Sequence, residues 1–213
     1  RTCASASSVQ GKLYVCGGDR KLTDSDFDYY FDRFRFGFLE DSAGRGMLNS
    51  AEVFDPATWC WTELPHMGHA RCDATAYSMH HKLVLLDGDG EDSEPDPEEF
   101  DPAALQWEDL PLMHRPRHQA ATAADVNFIY IGGGTRIVGS VCHVLRSFER
   151  YDASSRTWED LPSISQPRYQ ANMVVISQSL FMCGGYASVQ RPMLDPISVQ
   201  SAECLNLNTM TWG

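Results

Sequence analysis

Apolar residues along the chain fall in short runs closed by turn residues. LYVC (13–16), LVLL (83–86), FIYI (128–131) and LFMC (180–183) each lead into Gly17-Gly18, Asp87-Gly88, Gly132-Gly133-Gly134 and Gly184-Gly185. Continuous apolar runs of this length predict strands buried on both faces. The glycines allow positive φ and a close backbone approach. Small residues precede two of the runs, in CDATAYS (72–78) and HQAATAA (118–124), and predict a strand that lies where sheets converge. After each run comes a second pair of elements, best seen in NSAEVFDPATWCWTELPHM (49–67), which reads as strand, tight turn, strand and exit loop.

These elements recur in register. Asp55 to Trp61, Asp101 to Trp107, Asp152 to Trp158 and Asn206 to Trp212 are each six positions. Trp61, Trp107 and Trp158 each stand ten positions before Arg71, Arg117 and Arg168. Sixteen positions separate Arg1, Arg71, Arg117 and Arg168 from Gly17, Asp87, Gly133 and Gly184. The chain is four copies of one unit with a period near fifty, the signature of a propeller or array.

The unit resembles the kelch repeat. It shares the Arg-x-x-Ala opening (168–171), the apolar run into Gly-Gly (180–185), Glu-x-Tyr-Asp (149–152) and Trp-x-x-Leu-Pro (158–162). The resemblance spans nearly all of residues 1–213. It implies an all-β propeller of four-stranded antiparallel blades at about 1–67, 68–113, 114–164 and 165–213, as part of a larger propeller. It also implies tryptophans at the blade-to-blade seams, with Trp107 and Trp158 mostly buried, and Cys16 and Cys183 as small core residues.

Length varies in one place. From the glycine turn to the next Asp or Asn, Gly17 to Asp55 is 38 positions, Asp87 to Asp101 is 14, Gly133 to Asp152 is 19 and Gly184 to Asn206 is 22. This loop joins the second and third strands of each blade, and a propeller presents all four on one face, where variation marks function. In the first repeat it holds FDYYFDRFRFGF (27–38), read either as aromatics folded over the blade or as a partner-contact arm.

Charge sharpens the picture. The formal net charge is −12, yet 87–101 carries nine acidic and no basic side chains, which leaves −3 for the rest. No basic footprint for nucleic acid is present. No apolar run has the length of a membrane helix. Seven cysteines without a CxxC pair point to reduced thiols and a cytoplasmic or nuclear setting. Asp87, Asp89, Glu91 and Glu98 fall at positions 1, 3, 5 and 12 of a calcium loop, but Asp92 replaces its required glycine. His66, His69 and Cys72 lack a fourth zinc ligand, and His80-His81 reads as a polar turn. No cofactor or metal is expected. No catalytic set is in register either, so the copper radical oxidases that resemble this fold are the least favoured reading.

The arginine column remains. In kelch domains that act as substrate receptors, arginines here rim the central pocket and bind acidic or phosphorylated peptides. The resemblance therefore nominates Arg1, Arg71, Arg117 and Arg168, with Ser50, Ser201 and Tyr169 at the same rim, as partner-binding residues. The same column has a second reading, as an inter-blade salt bridge or a backbone contact. The implied function is a protein-interaction module like the recognition domain of a BTB–kelch ubiquitin-ligase adaptor, reaching a cullin-type ligase through a domain outside this chain. A cytoskeletal or signalling scaffold is the alternative.

Overall fold

A computed structural model describes residues 1–19, 46–88, 90, 96–138, 141–188 and 197–213. The aromatic segment 27–38 and positions 89 and 91–95 of the acidic run lie outside the described residues. All regular structure among the described residues is β. The chain divides into two compact units, Arg1–Pro111 and Leu112–Gly213.

The first unit holds two four-stranded antiparallel sheets. One is β1 (Ser5–Val9), β2 (Lys12–Cys16), β3 (Ala51–Asp55) and β4 (Cys60–Leu64), hydrogen-bonded in that order. The other is β5 (Thr75–Met79), β6 (Lys82–Leu86), β7 (Glu98–Asp101) and β8 (Gln106–Asp109). The second unit repeats the plan. Its first sheet is β9 (Ala121–Ala124), β10 (Phe128–Gly132), β13 (Phe148–Asp152) and β14 (Thr157–Leu161). A separate hairpin, β11 (Thr135–Val138) with β12 (Val141–Val144), is inserted between β10 and β13. Its last sheet is β15 (Asn172–Ile176), β16 (Ser179–Cys183), β17 (Ala202–Asn206) and β18 (Thr211–Trp212).

The turn chemistry read from the sequence closes the outer hairpin of every sheet. Asp55, Asp101, Asp152 and Asn206 each accept, through Oδ1, the N–H two residues on, at 2.8, 2.8, 2.8 and 2.9 Å. Such side-chain-to-backbone turns explain why Asn serves where Asp stands elsewhere. At the first hairpins, His80 and His81 take φ of 46° and 66° in the tight turn between β5 and β6.

Within each unit the two sheets share a core. Val9, Tyr14, Cys16, Leu83, Leu85 and Phe100 pack together in the first; Tyr130, Phe148, Ile164, Leu180, Met182 and Leu205 do so in the second. The innermost strands are also tied by main chain: Asp73 N–H donates to Cys3 O (2.9 Å) and Gln170 N–H to Gln119 O (2.9 Å). β6 and β10 are buried on both faces, as expected. β2 and β16 are not; their burial alternates. Cys183 is exposed, which corrects its expected place in the core. Successive side chains of a strand point to opposite faces, and Leu180 and Met182 take the covered one.

The tryptophans divide in the same way. Trp158 is 7% exposed. Trp107 packs partly buried against the first core and donates Nε1–H to Pro65 O at 2.8 Å; Trp212 does the same to Pro162 O at 2.7 Å. Trp61 departs from the expected seam position. It stays 52% exposed against Phe54.

Glycine turns hold neighbouring sheets at backbone distance. A Cβ on Gly133 (φ 65°) would come 2.2 Å from Arg168 O, whereas one on Gly184 (φ 69°) would meet nothing nearer than Val199 O at 4.0 Å. Gly184→Ala is therefore expected to cost only the backbone term, about 1–2 kcal/mol. Gly133→Ala adds a collision with rigid main chain and should cost at least about 3 kcal/mol. Chemical denaturation of both variants measures the gap, and equal losses would contradict the close approach.

Candidate functional site

Three of the four column arginines are buried: Arg71 and Arg117 at 1% and Arg168 at 0% exposure. Each guanidinium spans the variable loop of its own sheet. Arg168 Nη1 donates to Gly184 O (3.2 Å) at the start of the loop and Ser201 O (3.0 Å) at its end. Arg117 Nη1 does so to Gly133 O (3.0 Å) and Ser147 O (2.9 Å). Arg1 repeats the pair with Gly17 O and Ser50 O, both at 3.1 Å. In the second repeat Arg71 divides the task, with Nη1 to Asp87 O (3.4 Å) and Nη2 to Asp96 O (2.6 Å). A planar guanidinium has the fork of donors to hold several oxygens at once.

The second partner is a glutamate three positions before each turn Asp or Asn. Arg1 pairs with Glu52 (2.7 Å), Arg71 with Glu98 (3.2 Å), Arg117 with Glu149 and Arg168 with Glu203 (2.5 Å). These glutamates reach on to the loop arriving from the preceding sheet. Glu149 Oε2 accepts His114 N–H (2.8 Å), and Glu203 Oε2 accepts Ser165 N–H (2.7 Å). In the second repeat His69 N–H goes to Glu98 Oε1 (2.8 Å), the oxygen that also faces Arg71, and Oε2 has no hydrogen-bond partner among the described residues.

The rim role expected for Arg71, Arg117 and Arg168 is corrected accordingly. Their guanidiniums are enclosed and occupied by main-chain oxygens and glutamates, so they hold the chain rather than meet solvent. The backbone-contact reading of the column is the one realised, with a salt bridge inside each repeat. Ser50 and Ser201 serve it mainly through their carbonyls, and Ser201 Oγ also accepts from Arg168 Nη2 (3.3 Å). Tyr169 is 9% exposed, packs its ring at a tilt against Tyr186 and donates its hydroxyl to Ser188 O (3.4 Å). Arg1 alone of the column is classed as exposed.

Each of these arginines closes a variable loop. In the third repeat it folds as the β11–β12 hairpin, joined at its base by Thr135 and His118 exchanging main-chain bonds at 2.8 Å. Val138 and Val141 at its far end are 57% and 52% exposed. A lone two-stranded hairpin is marginal in water, so the anchored base matters to its form.

Histidines meet carboxylates in two places. His69 Nε2 lies 3.9 Å from Glu98 and 4.0 Å from Asp109, and His114 Nδ1 lies 3.9 Å from Glu149 and 3.6 Å from Asp160. These are the two groups among the described residues whose spacing could hold a metal ion. In the second, Arg115 Nη1 already sits 2.5 Å from Asp160 Oδ1. Cys72 is buried and belongs to neither.

Among the described residues, no helix is long and apolar enough to cross a membrane. No family model and no curated protein matches the chain. Among 205 matching chains of solved structures is the structure of YjhT, with a TM-score of 0.74 at 16% identity, over 100% of this chain and 70% of that one. The likeness concerns the fold: an all-β arrangement of antiparallel four-stranded sheets.

Two outcomes follow from the buried pairs. Removing one partner of such a pair leaves an uncompensated charge, so Arg117→Ala should lose about 3–5 kcal/mol, against about 1 kcal/mol or less for Arg1→Ala. Denaturant melts compare them, and a harmless Arg117→Ala would contradict the structural role. The glutamates should also differ with pH. Burial pushes the Glu98 carboxyl up, beyond what Arg71 and His69 offset. At Glu203 burial acts the same way, but the Ser165 N–H and Arg168 outweigh it and hold the carboxyl below its ordinary value. Glu203 therefore stabilises the fold above the unfolded-chain value, and that stability is lost as pH falls through its folded value. Ionisation of Glu98 has the opposite sign. Glu203→Gln should shrink the loss of melting temperature between about pH 7 and pH 4, and Glu98→Gln should not. The same response from both variants would refute the assignment.

Proposed function

We propose that this chain is a protein-interaction module of the kelch-propeller kind, acting by binding rather than catalysis. Its contact surface in this reading is the set of loops between the second and third strands. The observation that carries it is the arginine closure of each variable loop: both ends are held by one side chain, buried in all but the first repeat, so the segment between is free to vary. A propeller would gather these loops on one face, as a recognition domain requires. The exposed valines of the β11–β12 hairpin give that face an apolar contact in the third repeat.

The resemblance to BTB–kelch adaptors makes recognition of a substrate for a cullin-type ubiquitin ligase the best-supported biological setting. The peptide chemistry first expected changes. Acidic or phosphorylated segments would have met the arginine column, and its buried members are engaged within their own repeats. Recognition is assigned instead to side chains of the loops.

Site-specific photo-crosslinking tests this. A benzoylphenylalanine placed at Val138 or Val141 of the intact protein in cells should capture a defined set of partner proteins. The same probe at Ala104 or Thr209, in the outer hairpin turns, should not. Equal capture from the outer turns would overturn the loop assignment.

A further inference from the structure

The second and third repeats differ at one spot in a way that implies a ligand. Seven and eight positions after Trp107 stand His114 and Arg115; at the same distances after Trp61 stand Gly68 and His69. In the third repeat His114 and Arg115 both lie against Asp160, with His114 N–H on Glu149. Of the carboxylate pair there, Asp160 has its cation built in. The corresponding pair in the second repeat, Glu98 and Asp109, has the His69 imidazole at 3.9 and 4.0 Å and no guanidinium of this kind.

The space is left open. A cavity of about 440 Å³ lies here, lined among others by Pro65, His66, Gly68, Glu98, Trp107 and Asp109. A Cβ on Gly68 would stand 3.0 Å from Glu98 Oε1 and 3.9 Å from Asp109 Oδ1, so the glycine keeps the approach to both carboxylates clear. Glu98 is 1% exposed, and its Oε2 is a buried oxygen with no hydrogen-bond donor among the described residues. Buried carboxylate oxygens are rarely left so.

We propose that this cavity receives the guanidinium of an arginine side chain from a partner protein, in the role that Arg115 plays in the third repeat. Three features fit that occupant. The planar fork can donate to a Glu98 oxygen and to Asp109 together. Trp107 supplies an aromatic surface beside the carboxylates, which favours a cation. The protein's net charge of −12 draws a basic segment toward it. A metal ion, which the spacing of His69, Glu98 and Asp109 could also hold, is distinguished by the test. The inference rests on the interaction-module reading only in taking the arginine's source to be a protein.

The test is a titration of the labelled full chain with the peptide acetyl-Gly-Arg-Gly-amide, read by the indole N–H resonance of Trp107. The arginine peptide should shift it saturably, and the isosteric citrulline peptide, without the charge, should not. Asp109→Asn should weaken binding about tenfold or more, the factor of one lost charged hydrogen bond. His69→Arg should abolish binding while the chain stays folded, since the third repeat carries Arg115 at this position against Asp160, the counterpart of Asp109. Absence of any shift, equal shifts from citrulline, or undiminished binding by His69→Arg would overturn the proposal. So would zinc chloride alone binding tightly and displacing the arginine peptide, which would make the cavity a metal centre. The titration reads the cavity alone, so its failure leaves the loop crosslinks untouched, and the reverse.

Discussion

The guanidinium inside each repeat, buried in all but the first, is the interaction on which the rest of this structure depends. One arginine holds the carbonyl that ends the second strand and the carbonyl that precedes the third. Its glutamate then takes an N–H from the loop that brings the chain in from the previous sheet. Three segments distant in sequence meet at one ion pair. Its charges are out of water, so neither partner can be removed without stranding the other, and the oxygens they hold would be stranded as well. Because the loop is closed at its base, its length adds little: each doubling of a flexible loop costs roughly 0.6 kcal/mol. That is why intervals of 14 and 38 positions coexist in one repeat series.

The same geometry explains where the repeats differ. In the third and fourth, the two oxygens of the glutamate divide the arginine and the incoming N–H between them. In the second, both donors fall on Glu98 Oε1 and the pair is longer, at 3.2 Å. Burial then wins at that carboxyl and loses at Glu203. A glycine and a histidine stand where the third repeat has His114 and Arg115, and a cavity lies beside Glu98, whose Oε2 has no hydrogen-bond partner among the described residues. Asp87 shows how far the plan tolerates substitution: it stands in a glycine position and still takes φ of 60°.

Much of this was legible because it is local. The Asp or Asn turns, the glycine pairs and the apolar runs each depend on a few consecutive residues, and the repeat displays them in register. Burial parity was harder to read. LFMC and LVLL look alike, yet β16 has one covered face and β6 two, which depends on neighbouring sheets. The two readings of the arginines could not be separated for a similar reason. From Arg71 to Glu98 and from Arg168 to Glu203 the separations differ, since the variable loop intervenes, so the pairing shows no fixed spacing. A signal did exist: Glu52, Glu98, Glu149 and Glu203 each stand three positions before the turn Asp or Asn. Four glutamates in register with four arginines are a charge column answered by its complement. The cavity could have been suspected from Gly68-His69 set against His114-Arg115, but only its carboxylate partners, remote in sequence, give that exchange meaning.

Native-state amide hydrogen exchange in the variant Arg117→Lys addresses the closure directly. A lysine keeps the charge but lacks the planar fork that reaches Gly133 O, Ser147 O and Glu149 together. The Gly133 amide, bonded to Ser147 O, and the His114 amide, bonded to Glu149, lie on different segments, and this guanidinium holds the acceptor of each. If the arginine holds both, their protection should fall together, while the Ala153 amide on Asn127 O, at the other end of the sheet, keeps its own. Unchanged protection at Gly133 and His114, or an equal loss at all three amides, would contradict it.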